Sequence, residues 1–208
     1  MATSPTWRTG LPNTLRRHIV DRYNGKYGAM VSFSEPFAEP LRAAQIMIGF
    51  PHPWCICGGW AIDLFMHRVS RQHKDVDIAV RRGDQLALRS HLVAQGWALE
   101  KAVDGQLAPW PEGEFIELPV HTIWCKNPNA QPDFVEVLFN EVSDGLFSFR
   151  RGQSITRPLA DAIVLGDEGI PILAPEIVLL YKANNPSHEG NRGDFEVALP
   201  HPDADRRA

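Results

Sequence analysis

A chain of 208 residues, 44% of them hydrophobic and 22% charged, can bury a core as one domain, and its composition excludes a disordered, fibrous or disulfide-stapled protein. Its three cysteines are too few and odd in number for a disulfide framework, and no run of eighteen apolar residues is present to span a bilayer. The first thirty residues mix Arg16, Arg17, Asp21 and Lys26 with Gly and Pro instead of building a signal core, so the expectation is a cytoplasmic protein with no membrane partner.

The net charge of −4 conceals an asymmetry: residues 1–103 hold 13 Lys/Arg against 8 Asp/Glu, whereas residues 104–208 hold 8 against 17. A basic first half suits phosphates and an acidic second half suits a cationic acceptor. The absence of a basic stripe argues against a nucleic-acid partner.

In chain order, Leu15, Ile19 and Tyr23, then Leu41, Ala44 and Ile48, recur at helical spacing and predict two helices within an N-terminal segment, 1–50. The apolar run Trp54 to Cys57, the Gly58-Gly59 break, and Trp60, Asp63, Leu64 and His67 at helical period predict strand, tight turn and helix. The C-x-C pair Cys55 and Cys57 admits zinc or packing; with no second ligand pair at zinc-like spacing, packing is favoured. Asp75 to Val80 alternates, with Val76, Ile78 and Val80 on one side and Asp75 and Asp77 on the other, which predicts a strand with an acidic face.

Asp84 is placed to N-cap a helix that ends at Gly96. Further strands are expected at Val120 to Cys125, Phe134 to Phe139, Leu146 to Arg150 and Ile170 to Leu173, and Pro175 opens a helix through Ile177, Leu180 and Tyr181. The pattern is α/β or α+β: a single domain over 1–208, with a mixed β-sheet flanked by helices and a C-terminal helical segment, 174–208.

Two aspartates one residue apart on a strand lie on the same face roughly 6.5 Å apart, close enough for their carboxylates to share a hard cation such as Mg²⁺. Gly58-Gly59 between strand and helix lets the backbone approach a ligand and presents amide donors beside a positive helix end, which suits a triphosphate. Neither motif is specific alone. Their order is: strand, Gly-Gly, helix, the basic Arg71-x-His73-Lys74 connection, then an acidic strand.

Gly58-Gly59-Trp60-Ala61-Ile62-Asp63, followed by Arg68-Val69-Ser70-Arg71-x-His73-x-Asp75-x-Asp77, resembles the aminoglycoside 2″-nucleotidyltransferase family, within the DNA polymerase β-like nucleotidyltransferase superfamily. The similarity is strongest over Trp54 to Val80 and looser through Leu118 to His121, Val135 to Glu141 and Leu173 to Lys182. It implies a nucleotidyltransferase fold, a metal-bound nucleoside triphosphate, and adenylylation of an aminoglycoside hydroxyl. It also implies metal-ligand carboxylates at Asp75 and Asp77 and a third on a neighbouring strand, for which Glu136 is the candidate and Asp133 the alternative. The family's resistance enzymes carry an aspartate there, used as the base; here the side chain is one methylene longer.

The expected reaction is in-line attack of a small-molecule hydroxyl on the α-phosphorus of ATP or another nucleoside triphosphate, with pyrophosphate leaving. Asp75, Asp77 and Glu136 are the expected catalytic and Mg²⁺-binding residues; Gly58, Gly59, Arg71, His73, Lys74 and Lys182 are the expected nucleotide-binding residues. For Arg71, Lys74 and Lys182 the competing reading is a solvated surface charge, and for His73 a histidine satisfied by local backbone bonds. Trp60, Ile62 and Leu64 read as core, and Asp63 as facing solvent or bonded to Arg68. Glu112, Glu114, Glu117 and Glu141 are candidates to line a pocket for a cationic acceptor, such as an aminoglycoside or lincosamide antibiotic, against ordinary surface acids.

Two other functions compete: a toxin-like nucleotidyltransferase acting on a protein or RNA, and a metal-nucleotide-binding module without turnover. The chain stops just after another helical segment begins, where relatives tend to continue, and a homodimer is one way to complete the acceptor pocket.

Overall fold

The computed structural model describes residues 36–166 and 169–199. The helix expected around Leu15, Ile19 and Tyr23 lies outside them. In chain order, α1 (Ala38–Ile46) precedes β1 (Trp54–Cys57), α2 (Gly58–Phe65) and β2 (Asp77–Arg81), and α3 (Gln85–Val93) leads to β3 (Ala98–Val103), β4 (Gln106–Pro109), β5 (Thr122–Lys126) and β6 (Phe134–Ser143). Then come β7 (Leu146–Ser148), β8 (Thr156–Pro158), the single turn α4 (Leu159–Ala162), β9 (Ile163–Leu165), β10 (Pro171–Leu173), α5 (Pro175–Lys182) and α6 (Glu189–Ala198).

The strands form one mixed sheet in the order β4-β3-β5-β6-β2-β1-β10-β9, with β7 and β8 added along the far end of β6. Among the described residues, only β2 with β6 and β1 with β10 run parallel. Ile123, Val137, Ile78, Ile56 and Ile172 are register partners across five strands, and all are fully buried. Each contributes about 1.5–3 kcal/mol of burial relative to exposure, so this aliphatic row fixes the register of the central strands. α2 packs against β1, β10, α5 and α6, which brings the C-terminal helices beside the start of the Gly-Gly helix.

Several expectations shift. No separate turn divides β1 from α2, because the helix begins at Gly58 itself. β2 begins at Asp77, leaving Asp75 exposed in the preceding connection, and Ala79 is buried as well as Ile78 and Val80. Asp84 occupies the N-cap position of α3 without capping it: Arg81 donates to its carboxylate at 2.5 and 2.9 Å, and His52 lies 3.2 Å away. The β3–β4 hairpin was not anticipated, although Asp104-Gly105, at φ 49° and 76°, is the turn pair that a tight hairpin favours. Asp144-Gly145 repeats the device between β6 and β7, and carries β6 to Ser143 instead of Phe139. No described helix is long and apolar enough to cross a membrane.

Candidate active site

The rung next to the aliphatic row brings together two of the candidate acids. Trp124, Glu136, Asp77 and Cys57 are register partners on β5, β6, β2 and β1. Strand alternation turns them to the face opposite the aliphatic row. The Asp77 and Glu136 carboxyls are neighbours that interact electrostatically, and the Trp124 indole N–H donates to Glu136 Oε1 at 3.1 Å. Burial, then the charges of Asp75 and Glu136, push Asp77 well above the usual carboxylate range. Burial also raises Glu136. Such a pair holds a proton or a cation, because two desolvated like charges in contact are unstable.

Asp133 precedes β6 and is exposed, whereas Glu136 lies on the strand as the register partner of Asp77. Asp75 contributes charge to the pair from its exposed connection. Among the described residues, no three His, Cys, Asp or Glu side chains are grouped to hold a metal ion. The expected three-carboxylate set is therefore a gathered pair with a third acid nearby, because β2 starts two residues later than its alternation suggests.

Gly58 closes in on this pair. Its φ of 64° is left-handed, and a Cβ there would lie 2.0 Å from Asp77 Oδ2. At Gly59 a Cβ would meet Arg71 Nη2 at 2.1 Å and two atoms of the His73 ring at 2.7 Å. The two glycines let the start of α2 touch the acidic strand on one side and the basic connection on the other. Cys57, the N-cap, makes no side-chain capping bond. All three cysteines are free and buried, as packing residues.

The basic connection is used internally. His73 Nε2 lies 2.6 Å from Asp63 Oδ2, and its ring stacks on Trp60 with centroids 4.2 Å apart. Asp63 is fully buried, where solvent exposure or a bond to Arg68 had been expected; Ser70 donates to it through its hydroxyl at 2.5 Å and its backbone N–H at 3.1 Å. His73 is thus satisfied by a side-chain carboxylate instead of local backbone. Arg71 grips Asp194 of α6 through Nε at 2.8 Å and Nη2 at 3.0 Å, and Lys182 Nζ reaches the same carboxylate at 2.8 Å. Lys74 stays exposed. Asp194 was missed as an organising residue because its partner Arg71 is 123 residues away, and Asp63 because helical spacing points to neighbours on its own helix and not to Ser70 and His73 beyond it.

A cavity of about 300 Å³ opens beside the rung. Gly58 and Cys57 form one wall, Leu138 and Asn140 continue along β6, and Tyr181 and Lys182 come from α5. Of the expected nucleotide-binding residues it includes Gly58 and Lys182. The acids expected to attract a cationic acceptor are elsewhere: Glu141 pairs with Arg82 at 2.7 Å, Glu114 pairs with Lys101, and Glu112 and Glu117 are exposed and do not line the cavity.

Among solved structures, the chain is similar to a crystal structure of the lincosamide antibiotic adenylyltransferase LnuA, lincomycin-bound, with a TM-score of 0.52 and 15% identity, covering 77% of this chain and 96% of that one. It is also similar to a crystal structure of ANT(2″)-Ia in complex with adenylyl-2″-tobramycin, with a TM-score of 0.51 and 14% identity, covering 76% and 86%. At these identities the likeness shows the fold. No curated protein matches the sequence. The family described as aminoglycoside-2″-adenylyltransferase matches residues 42–176, from α1 through the start of α5 and across the whole carboxylate rung. A match over that much of the chain, on the nucleotidyltransferase fold, makes this protein a member of the aminoglycoside-2″-adenylyltransferase family.

Proposed function

We propose that the protein transfers AMP from ATP to a hydroxyl of a small-molecule antibiotic of the aminoglycoside or lincosamide class. The observation that carries this reading is the Asp77–Glu136 rung pressed against Gly58 at the start of α2. Two half-buried neighbouring carboxyls fit a hard divalent cation, since oxygen donors suit Mg²⁺ and a cation removes the repulsion between them. Asp77 and Glu136 would hold Mg²⁺, with Asp75 adding negative charge, and phosphate oxygens would complete its shell. When bound, Mg²⁺ neutralises charge on the phosphates and on the leaving pyrophosphate.

The protein's own groups then have separable tasks. Gly58 and Gly59 bring backbone N–H donors at the positive end of α2 to the phosphate chain. Glu136, held at Oε1 by Trp124, accepts the proton of the attacking hydroxyl as its oxygen bonds to the α-phosphorus and the bond to pyrophosphate breaks. Lys182 adds positive charge toward Asp77. Arg71 supports the site through Asp194, and His73 through Asp63.

The test is pyrophosphate release from ATP and GTP with and without Mg²⁺, against a panel of aminoglycosides and lincosamides. Metal-dependent turnover with ATP that disappears in Asp77→Asn and Glu136→Gln is the expected result. Nucleotide binding without turnover on any member of the panel would overturn the antibiotic assignment.

A further inference from the structure

The cavity beside the rung has cationic walls and no acid. Leu138 and Asn140 follow Glu136 on one face of β6, so the cavity continues the catalytic face. Its far wall is Arg150 and Arg151, in the turn between β7 and β8, with His121 just before β5. No Asp or Glu is among its lining residues. Lys182 is paired with Asp194, but among the described residues neither Arg150 nor Arg151 meets a carboxylate. Both guanidinium groups sit 5.8 Å from the centre of the Tyr181 ring, and Arg151 Nη1 donates to the Tyr181 carbonyl at 2.7 Å. These partners are a neutral ring and a carbonyl, so they leave both charges in place, on a half-buried Arg150 and an exposed Arg151. Burial, then the charges of Arg151 and Arg82, depress Arg150, and burial, then the charges of Arg150, Arg82 and Arg151, depress His121. A cluster of like charges held apart from acids is stabilised by an anion, and paired guanidinium forks match the oxygens of phosphate or carboxylate.

We propose that this cavity is an oxyanion site in which Arg150 and Arg151 bind a phosphate or carboxylate group of a ligand whose reacting end lies at Glu136. The location of that reacting end rests on the transferase reading; the anion site does not. An aminoglycoside would bring ammonium groups against this wall, so with the antibiotic acceptor proposed above the ligand part seated here is the phosphate chain of the nucleotide, and an acidic acceptor is the outcome that would replace that antibiotic.

The experiment is calorimetric binding of inorganic tripolyphosphate to the full chain and to Arg150→Gln, Arg151→Gln and Arg151→Lys, with unfolding curves to confirm folding. Each Gln variant should weaken binding about tenfold or more, as loss of a charged hydrogen bond does, and the Lys variant should recover part of it. Repeating the titration on protein saturated with a non-hydrolysable ATP analogue separates the sources: loss of the signal assigns the site to the nucleotide, and an arginine-dependent signal that persists assigns it to an acidic acceptor. Tripolyphosphate binding unchanged in both Gln variants overturns the proposal. Asp77→Asn should abolish transfer yet keep arginine-dependent anion binding, so a failed transferase reading and a failed anion site give different results.

Discussion

Arg71 and Asp194 stand 123 residues apart and meet in a two-pronged pair, Nε to Oδ1 at 2.8 Å and Nη2 to Oδ2 at 3.0 Å. Lys182 adds a third contact to the same carboxylate, so one buried acid ties the connection before β2 to α5 and α6. The residues expected to reach the triphosphate are thereby placed around a shared anchor.

Asp194→Asn should cost about 3 kcal/mol, the lower end for breaking a buried pair, because Arg71 keeps some access to water. Burial alone would raise the Asp194 carboxyl, but the hydrogen bonds from Arg71 and Lys182 outweigh it and leave it below its ordinary value. Its stabilisation is therefore complete above the ordinary carboxylate range and is lost as pH falls through the lower folded value. Urea unfolding across the acid range should show that loss in the wild type and a flatter profile in the variant; identical profiles would remove Asp194 from the anchor.

Asp77→Asn should separate stability from activity. Replacing one of two repelling carboxyls with an amide relieves strain in the chelator-treated protein, and each 1 kcal/mol gained raises the melting temperature by about 2–4 °C at this size. Transfer should be lost in the same variant. A lower melting temperature in chelator would show that the pair is not under repulsion.

Gly58→Ala forces a side chain into left-handed backbone, at about 1–2 kcal/mol, and drives its Cβ against Asp77 Oδ2. A displacement of about 1 Å at a reacting centre costs about 100-fold in rate, so kcat should fall far more than thermal stability. Steady-state kinetics beside a melting curve would show it, and near-normal kcat would mean that Asp77 does not need its present position.

His73→Ala should act on folding and spare nucleotide affinity. It leaves the buried Asp63 with only the Ser70 donors, at about 1–3 kcal/mol, and removes the stack on Trp60. Urea midpoints should drop while the KM for ATP holds. A raised KM at unchanged stability would return His73 to the phosphates.

Much of this was readable along the chain. The run Trp54 to Cys57 with two glycines behind it announced β1 and α2, Pro175 announced α5, and Phe134 to Phe139 placed Glu136 on a strand. These signals are local: apolar periodicity, backbone freedom and a missing N–H act within a few residues. The β3–β4 hairpin had its Asp-Gly turn in view but lacked clean alternation in Ala98–Val103, where only Leu99 is buried.

Local chemistry thus decided the elements, the family motif and the acids available for catalysis. Packing across the sheet decided which of them lie together. The aliphatic row set the register that places Asp77 opposite Glu136 and leaves Asp75 outside the strand, and desolvation then raised the pair. The fates of charged side chains were decided at the same level: Arg71 and Lys182 drawn to Asp194, Glu114 and Glu141 drawn to Lys101 and Arg82, Arg150 and Arg151 left facing the cavity. A charge buried on folding takes the nearest opposite charge in space, and distance along the chain carries no information about which one that is.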